Sequence, residues 1–108
     1  MSTSDAGTTD GGDSLVTFVL LRSSAFVREA KKRVKKQPHI AQSLQNTIEL
    51  LRIDPFHPRL RTHKLKGDLR ESWACSAGYD LRIIFKFVEQ EKAQAILLES
   101  IGTHDEVY

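Results

Sequence analysis

The chain has 108 residues, of which 40% are apolar and 28% charged, and its formal net charge at pH 7 is +2. This length holds one domain with a modest core, and the composition excludes a chain that is disordered throughout. The longest apolar runs fall far short of the roughly 20 residues needed to cross a bilayer, so no membrane span is expected.

The first fourteen residues differ in composition from the rest of the chain. They are rich in Gly, Ser, Thr and Asp, carry three acids and no base, and lack the features of a signal peptide. We therefore predict a disordered tail over residues 1–14 and one folded domain over residues 15–108. All 16 basic residues fall in that domain. Such a domain suits a polyanionic partner, either nucleic acid or an acidic protein segment, although a solvated basic surface explains the charge equally well.

The first half of the domain predicts one strand followed by two helices. LVTFVLL (15–21) is typical of a buried strand, and Ser23 or Ser24 can cap a helix that runs to about Lys36. Pro38 fits the first turn of a second helix. The apolar positions at helical spacing are Phe26, Val27, Ala30 and Val34 in the first helix and Ile40, Leu44, Ile48 and Leu51 in the second. Together they form a helical hairpin.

The second half changes to a period of two, which is typical of strands. DPFHPRLR (54–61) is a loop with two prolines. The predicted strands are THKLKG (62–67), LRESWACS (69–76), YDLRIIFKFV (79–88) and AQAILLESI (93–101), with turns at 67–68, 77–78 and 89–92. The order β-α-α-β-β-β-β predicts an α+β fold, in which the helical hairpin covers one face of a small, mostly antiparallel sheet.

Metal and cofactor motifs are missing from the sequence. It contains no CxxC, no HExxH, no phosphate-binding glycine loop and no nucleophile elbow, so we expect neither a metal nor a cofactor. The single cysteine, Cys75, cannot form an internal disulfide, and nothing indicates an oxidising compartment.

Polar side chains gather on the predicted sheet and at its strand ends. They are His63, Lys64, Lys66, Asp80, Arg82 and His104, with Tyr108 at the end of the chain. Two imidazoles can serve as general base and general acid, and a cation can stabilise a pentacoordinate phosphorane. A carboxylate can orient an imidazole, and an aromatic ring can stack on an unpaired base. The set suits metal-free RNA cleavage by a 2′-OH, while alternating charges on a solvated sheet face explain the same pattern without function.

The stretch HKLKGDLRESWACSAGYDLRIIFKF (63–87), followed by ILLESIGTHDEVY (96–108), resembles the RelE/ParE superfamily of bacterial type II toxins, and most of all its YafQ-like branch. The resemblance covers about residues 15–108. It implies a RelE-like microbial RNase fold and a cytoplasmic, ribosome-dependent endoribonuclease that cleaves mRNA and arrests growth. It also implies a cognate antitoxin that binds the toxin in a heteromeric complex.

The resemblance assigns roles residue by residue. The histidine of the family's HxLxG motif falls on His63, and the histidine of its GTH tripeptide falls on His104. Its acid before the central strand falls on Asp80, its strand arginine on Arg82 and its terminal aromatic on Tyr108. Lys64 and Lys66 are comparable to lysines with which relatives hold phosphates.

In the implied mechanism, His63 or Asp80 takes the 2′-OH proton and His104 protonates the leaving 5′-oxygen. Arg82 and the two lysines neutralise the phosphate, and Tyr108 stacks on a base. Some relatives carry a further histidine where this chain has Ser76, and serine is not a general base at neutral pH. His63 and His104 would therefore share more of the proton transfer, and the division of roles between them stays open.

Two other functions fit the same chain. A ParE-like toxin that binds DNA gyrase needs no acid–base pair, and a catalytically inactive relic would only bind antitoxin. The outer face of the first predicted helix suits either ribosomal RNA or an acidic antitoxin segment. Its basic residues are Arg28, Lys31, Lys32, Lys35 and Lys36.

Overall fold

Two helices pack on one face of a mostly antiparallel sheet in the computed structural model, which describes residues 17–67, 71–78 and 80–103. In chain order the elements are β1 (Val19–Arg22), α1 (Ser24–Lys36), α2 (Ile40–Ile53), a 3-10 turn (Pro58–Leu60), β2 (His63–Lys64), β3 (Trp73–Ser76), β4 (Leu81–Gln90) and β5 (Ala93–Thr103). This order confirms the predicted arrangement and the α+β class. The predicted tail, 1–14, lies outside the described residues.

The described strands form a five-stranded sheet in the order β1-β5-β4-β3-β2. Only β1 and β5 run parallel, and the other three pairs are antiparallel. Within the β4–β5 pair, Ile84 lies opposite Ser100 and Phe85 lies opposite Leu98. Glu99 is therefore an extra residue in β5, and it forms a β-bulge.

Several strand boundaries differ from the sequence prediction. The first strand begins at Val19, and it is half exposed rather than buried because it lies at the sheet edge, where Val19 keeps 43% of its surface exposed. The second strand contains only His63 and Lys64. The last hairpin turn is narrower than predicted, because the strands extend to Gln90 and resume at Ala93.

The helices begin and end where local chemistry requires. At the start of α1, the backbone N–H of Phe26 donates to Ser23 Oγ at 2.9 Å, and Ser23 Oγ itself donates to the Glu99 carbonyl at 2.7 Å. Ser23 therefore caps the helix and ties it to the bulge in β5. Along α2, Ser43 Oγ donates to the Ala77 carbonyl at 3.0 Å. That bond holds the second helix to the turn between β3 and β4.

The core lies between the helices and one face of the sheet. Leu51 of α2 meets Ile83 and Phe85 of β4 and Ile96 and Leu98 of β5, and all five side chains are fully buried. The opposite face carries only a small cluster of Leu65, Ala74 and Ile84. In the described part of the chain, neither helix has the length and apolar character that crossing a membrane requires.

Replacement of Ser23 by alanine tests the cap. Ser23→Ala removes the acceptor for the Phe26 N–H and the donor to Glu99, so we expect the free energy of unfolding to fall by about 1–2 kcal/mol. Urea unfolding followed by circular dichroism measures the change. Ser24→Ala is the matched control, because Ser24 is the exposed first residue of α1, and an equal loss in both variants would contradict the assignment.

Candidate functional site

The strand register decides which side chains share the uncovered face of the sheet. His63 lies opposite Ala74, which lies opposite Ile84, and Ser76 lies opposite Arg82. Successive side chains of a strand point to opposite faces, and Cys75 and Ile83 belong to the core under the helices. The other face, which we call the open face, therefore presents His63, Ser76 and Arg82.

His63 is exposed at the edge of this face, and its tautomer follows from one hydrogen bond. Its Nδ1 lies 3.0 Å from the Arg61 carbonyl oxygen. A carbonyl oxygen only accepts, so Nδ1 carries the proton and donates it. In the neutral ring the lone pair is then on Nε2, which is the nitrogen that can take a proton from a substrate.

Arg82 lies half-buried on the open face, next to Ser76. One guanidinium nitrogen, Nη1, donates to the Leu81 carbonyl at 3.0 Å, and Ser76 Oγ donates to the Gly78 carbonyl at 3.2 Å. The Cα atoms of His63 and Arg82 lie about 12 Å apart, because two strand spacings across the sheet and two residues along the strand separate them. Both side chains therefore flank one surface on which a nucleotide can lie.

Asp80 lies at the end of the sheet rather than among these side chains. It is exposed and lines a cleft of about 760 Å³ between the sheet and the helical hairpin, which we call the end cleft. The helices contribute Arg33, Lys36 and His39 to the end cleft, and β5 contributes Thr103. The carboxylate thus shares the cleft with basic side chains.

Two basic residues of the end cleft, Arg33 and His39, are not among the candidates that the sequence suggested. Lys36 was predicted only as part of the basic outer face of the first helix. The available signal was the helical hairpin itself, because the end of the first helix and the start of the second must meet at one end of the sheet.

Lys64 faces away from the other candidate residues. It lies opposite Trp73, and its Nζ is 5.7 Å from the centre of the Trp73 ring, on the side of the helices. The structure therefore separates Lys64 from His63 and Arg82, because neighbouring residues of a strand point in opposite directions. Lys66 is exposed beyond the end of β2.

Lys86 lies on the same side of β4 as Arg82, where it forms an ion pair with Glu99. Its Nζ is 3.5 Å from Glu99 Oε2, and Ser72 Oγ donates to Glu99 Oε1 at 2.8 Å. Glu99 therefore connects β5 to Lys86 of β4 and to Ser72, which immediately precedes β3. The sequence analysis did not single out Glu99.

His104 and Tyr108 lie outside the described residues. Leu81, the first residue of β4, pairs with Thr103, the last residue of β5. In the sequence, Asp80 precedes Leu81 and His104 follows Thr103. Across residues 17–67, 71–78 and 80–103, no three His, Cys, Asp or Glu side chains form a group that could hold a metal ion.

Cys75, beside Ser76, points into the core. It is fully buried, and this burial raises the pKa of its thiol to about 12, although the charge of Arg82 acts in the opposite direction. A thiol that stays protonated at neutral pH is neither a nucleophile nor a metal ligand.

Solved structures identify the class of protein that has this fold. The YoeB/ParE toxin from Agrobacterium tumefaciens is 14% identical with a TM-score of 0.68, over 81% of this chain and 99% of that chain. YafQ from E. coli strain BL21(DE3) is 17% identical with a TM-score of 0.68, over 84% of this chain and 98% of that chain. The E. coli DinJ-YafQ complex matches at 18% identity and a TM-score of 0.67, over 84% and 98%. The fold is that of the RelE/ParE toxins.

The family model described as "Bacterial toxin of type II toxin-antitoxin system, YafQ" matches residues 19–108. The chain therefore belongs to the YafQ family of type II toxins, as its sequence predicted. No curated protein matches the chain.

The buried thiol leads to a prediction about reactivity. We expect the native protein to resist alkylation of Cys75 by iodoacetamide at pH 8, and urea to make the thiol reactive, because only the unfolded thiol ionises there. The pKa of the Cys75 thiol is higher in the folded than in the unfolded protein, so the buried thiol contributes fully to stability below the ordinary thiol pKa of about 8.5. This contribution declines as the pH rises toward 12. Mass spectrometry counts the modified chains, and rapid alkylation without urea would contradict the burial.

Proposed function

We propose that this YafQ-family toxin is a ribosome-dependent endoribonuclease that acts in the cytoplasm and needs no metal. It cleaves mRNA by attack of a ribose 2′-OH on the neighbouring phosphate. The observation that carries the proposal is that His63 and Arg82 share the open face, which the two described helices leave uncovered. An imidazole and a guanidinium on one accessible surface supply proton transfer and charge stabilisation for this reaction.

The proton steps need a base at the 2′-OH and an acid at the leaving 5′-oxygen. His63 suits the base, because its bond to Arg61 leaves Nε2 as the accepting nitrogen. Asp80 is the other candidate base, and it lies in the end cleft with Arg33, Lys36 and His39. His104 is assigned as the acid on the family's GTH motif, and Tyr108 as the ring that stacks on a base.

The phosphate carries one negative charge and gains a second as the 2′-oxygen adds to form the phosphorane, and cations must neutralise both. Arg82 is the cation on the open face, and its guanidinium can hold two phosphate oxygens at once. Lys64 faces the other side of β2, so it suits a neighbouring nucleotide rather than the reacting phosphate. Lys66, exposed just beyond β2, is assigned to phosphate contact on the family pattern.

A cognate antitoxin and the ribosome are the proposed macromolecular partners. The family is defined as the toxin half of a toxin–antitoxin pair, and the similar E. coli toxin is known in complex with DinJ. The five basic residues on the outer face of α1 are all exposed. That surface suits ribosomal RNA during cleavage, and an acidic antitoxin segment that covers it would compete with the ribosome.

Replacement of the two histidines tests the proton transfer. We expect His63→Ala and His104→Ala to lower the rate of mRNA cleavage at least about a hundredfold, because each removes a group that transfers a proton. The assay is cleavage in a translating extract, with the products mapped for a 2′,3′-cyclic phosphate and a 5′-hydroxyl. His57→Ala is the matched control, because that imidazole caps the 3-10 turn by accepting the Arg59 N–H at 3.1 Å.

Other outcomes of the same assay distinguish the other functions. Full cleavage by His63→Ala would remove it from the mechanism. Induction that damages DNA and leaves translated mRNA intact would indicate a gyrase-binding toxin. A chain that binds antitoxin but never arrests growth would be an inactive relic. Antitoxin binding, measured on every variant, shows that the fold is retained.

Restoration of an imidazole at position 76 tests the open face itself. Ser76 is half-buried beside Arg82, so we expect Ser76→His to place a third proton-transfer group next to the phosphate and to raise the cleavage rate about tenfold at neutral pH. Ser76→Asn, which has a similar polar side chain but no titratable group, is the control. A gain in both variants, or in neither, would contradict the placement of the scissile phosphate.

A further inference from the structure

Five aromatic rings gather at the end of the molecule away from the end cleft. Phe87 lies at the centre, 5.5 Å from Phe85, 5.7 Å from Trp73 and 5.8 Å from both Phe18 and Phe56, measured between ring centres. Phe56 also meets Trp73 edge-on at 5.3 Å. The cluster closes the core beneath the loop that follows α2, and these rings are not part of the proposed catalytic site.

Phe56 is the outermost ring, and it remains 56% exposed. The loop holds it in place, since Thr62 Oγ1 donates to the Pro55 carbonyl at 2.6 Å and the His57 N–H donates to the Asp54 carbonyl at 3.0 Å. Proline at 55 and 58 restricts the backbone on both sides. A large apolar ring is thus presented to solvent by a loop with little freedom to bury it.

A lysine borders this aromatic cluster. Lys64 places its ammonium 5.7 Å from the centre of the Trp73 ring. The segment 54–67, which carries Phe56 and Lys64, has a basic composition. It contains one acid, Asp54, and four bases: Arg59, Arg61, Lys64 and Lys66. Aromatic faces edged by positive charge are the surface that unpaired nucleic-acid bases and their phosphates bind.

We propose that Phe56, Trp73 and Lys64 form a stacking site for an unpaired RNA base, which we call the aromatic platform. Phe56 supplies the face for the base, and Lys64 contacts its phosphate. The inference rests on the proposed function, because it takes RNA as the substrate. It adds a second contact point, distinct from the open face, that holds a nucleotide away from the scissile bond.

The strand geometry connects this platform to the candidate site. His63 and Lys64 are consecutive in β2, an edge strand of the described sheet, and they face opposite sides. An RNA strand that passes over this edge meets His63 on one side and the aromatic platform on the other. The platform therefore sets which nucleotide, counted from the cleavage position, is held by stacking.

Trp73 makes the proposal directly measurable, because it is the only tryptophan in the chain. The probe is a ten-nucleotide, single-stranded 2′-O-methyl RNA, which cannot be cleaved because its 2′-oxygens are blocked. We expect binding to the full chain to quench Trp73 emission, and Phe56→Ala and Phe56→Leu to raise the Kd about tenfold. Phe56→Tyr keeps a ring and should bind as the wild type does. Lys64→Gln should weaken binding, whereas Lys64→Arg should retain it.

Ile53→Ala is the matched control, because Ile53 is also a large apolar side chain, 39% exposed, and lies near the end of α2. Urea unfolding confirms that each variant is folded, and the leucine variant keeps apolar bulk if the alanine variant is unstable. A Kd that rises equally in Ile53→Ala and both Phe56 variants, or binding without quenching, would overturn the platform. Equal quenching by polyglutamate that competes with the RNA would assign the surface to an acidic protein instead.

The platform and the proposed function fail in distinguishable ways. His63→Ala should impair mRNA cleavage, whereas quenching of Trp73 by the uncleavable RNA should still occur in that variant and still depend on Phe56. Absence of mRNA cleavage by the wild type, with quenching still dependent on Phe56, would reject the nuclease and keep the RNA-binding site. If the wild type cleaves mRNA and the Kd for the uncleavable RNA does not change in the Phe56 variants, the platform alone is rejected.

Discussion

The structure depends on one constraint, which is that the helical hairpin covers a single face of the sheet. The buried side chains of both helices pack on one face of the sheet, so each strand divides its residues between the face under the helices and the open face. Adjacent residues of one strand consequently have different roles. Cys75 is an inert part of the core while Ser76 borders Arg82, and Lys64 lies over an aromatic ring while its neighbour His63 faces the substrate side.

This division also explains why the fold tolerates a polar site so close to its centre. Arg82 lies between Leu81 and Ile83, which are both buried, yet its guanidinium emerges on the uncovered side. Only a small apolar cluster supports that side, and the Glu99 network with Ser72 and Lys86 braces it with polar contacts instead. Stability comes mainly from one face, and the other is free to carry charge.

Periodicity in the sequence was sufficient to predict the order of elements and the exposed basic side of α1. Ser23 and Ser24 were both candidate caps, and the structure selects Ser23. Periodicity failed where geometry depends on the partner strand. No bulge was predicted at Glu99, although the inward apolar positions change there from Ile96 and Leu98 to Ile101. The turn at Glu91 and Lys92 has positive φ angles that are more typical of glycine or asparagine. Lys64 was grouped with His63 because proximity in sequence was taken for a shared face. Arg33 and His39 of the end cleft were not predicted as site residues, because they approach Asp80 only after the helices pack on the sheet.

The bulge in β5 has an effect that resembles a shift of phase. Ile96 and Leu98 point toward the helices, and without an extra residue the next inward position would be 100. Because Glu99 adds one residue, the inward-facing residues after it are the odd-numbered ones. Ile101 therefore enters the core, and Thr103 lines the end cleft. The side chains before and after the bulge therefore alternate in opposite senses: even-numbered residues face the helices before it, and odd-numbered residues face them after it. One inserted residue thus places Thr103, rather than Gly102, on the side of β5 that faces the end cleft shared with Asp80.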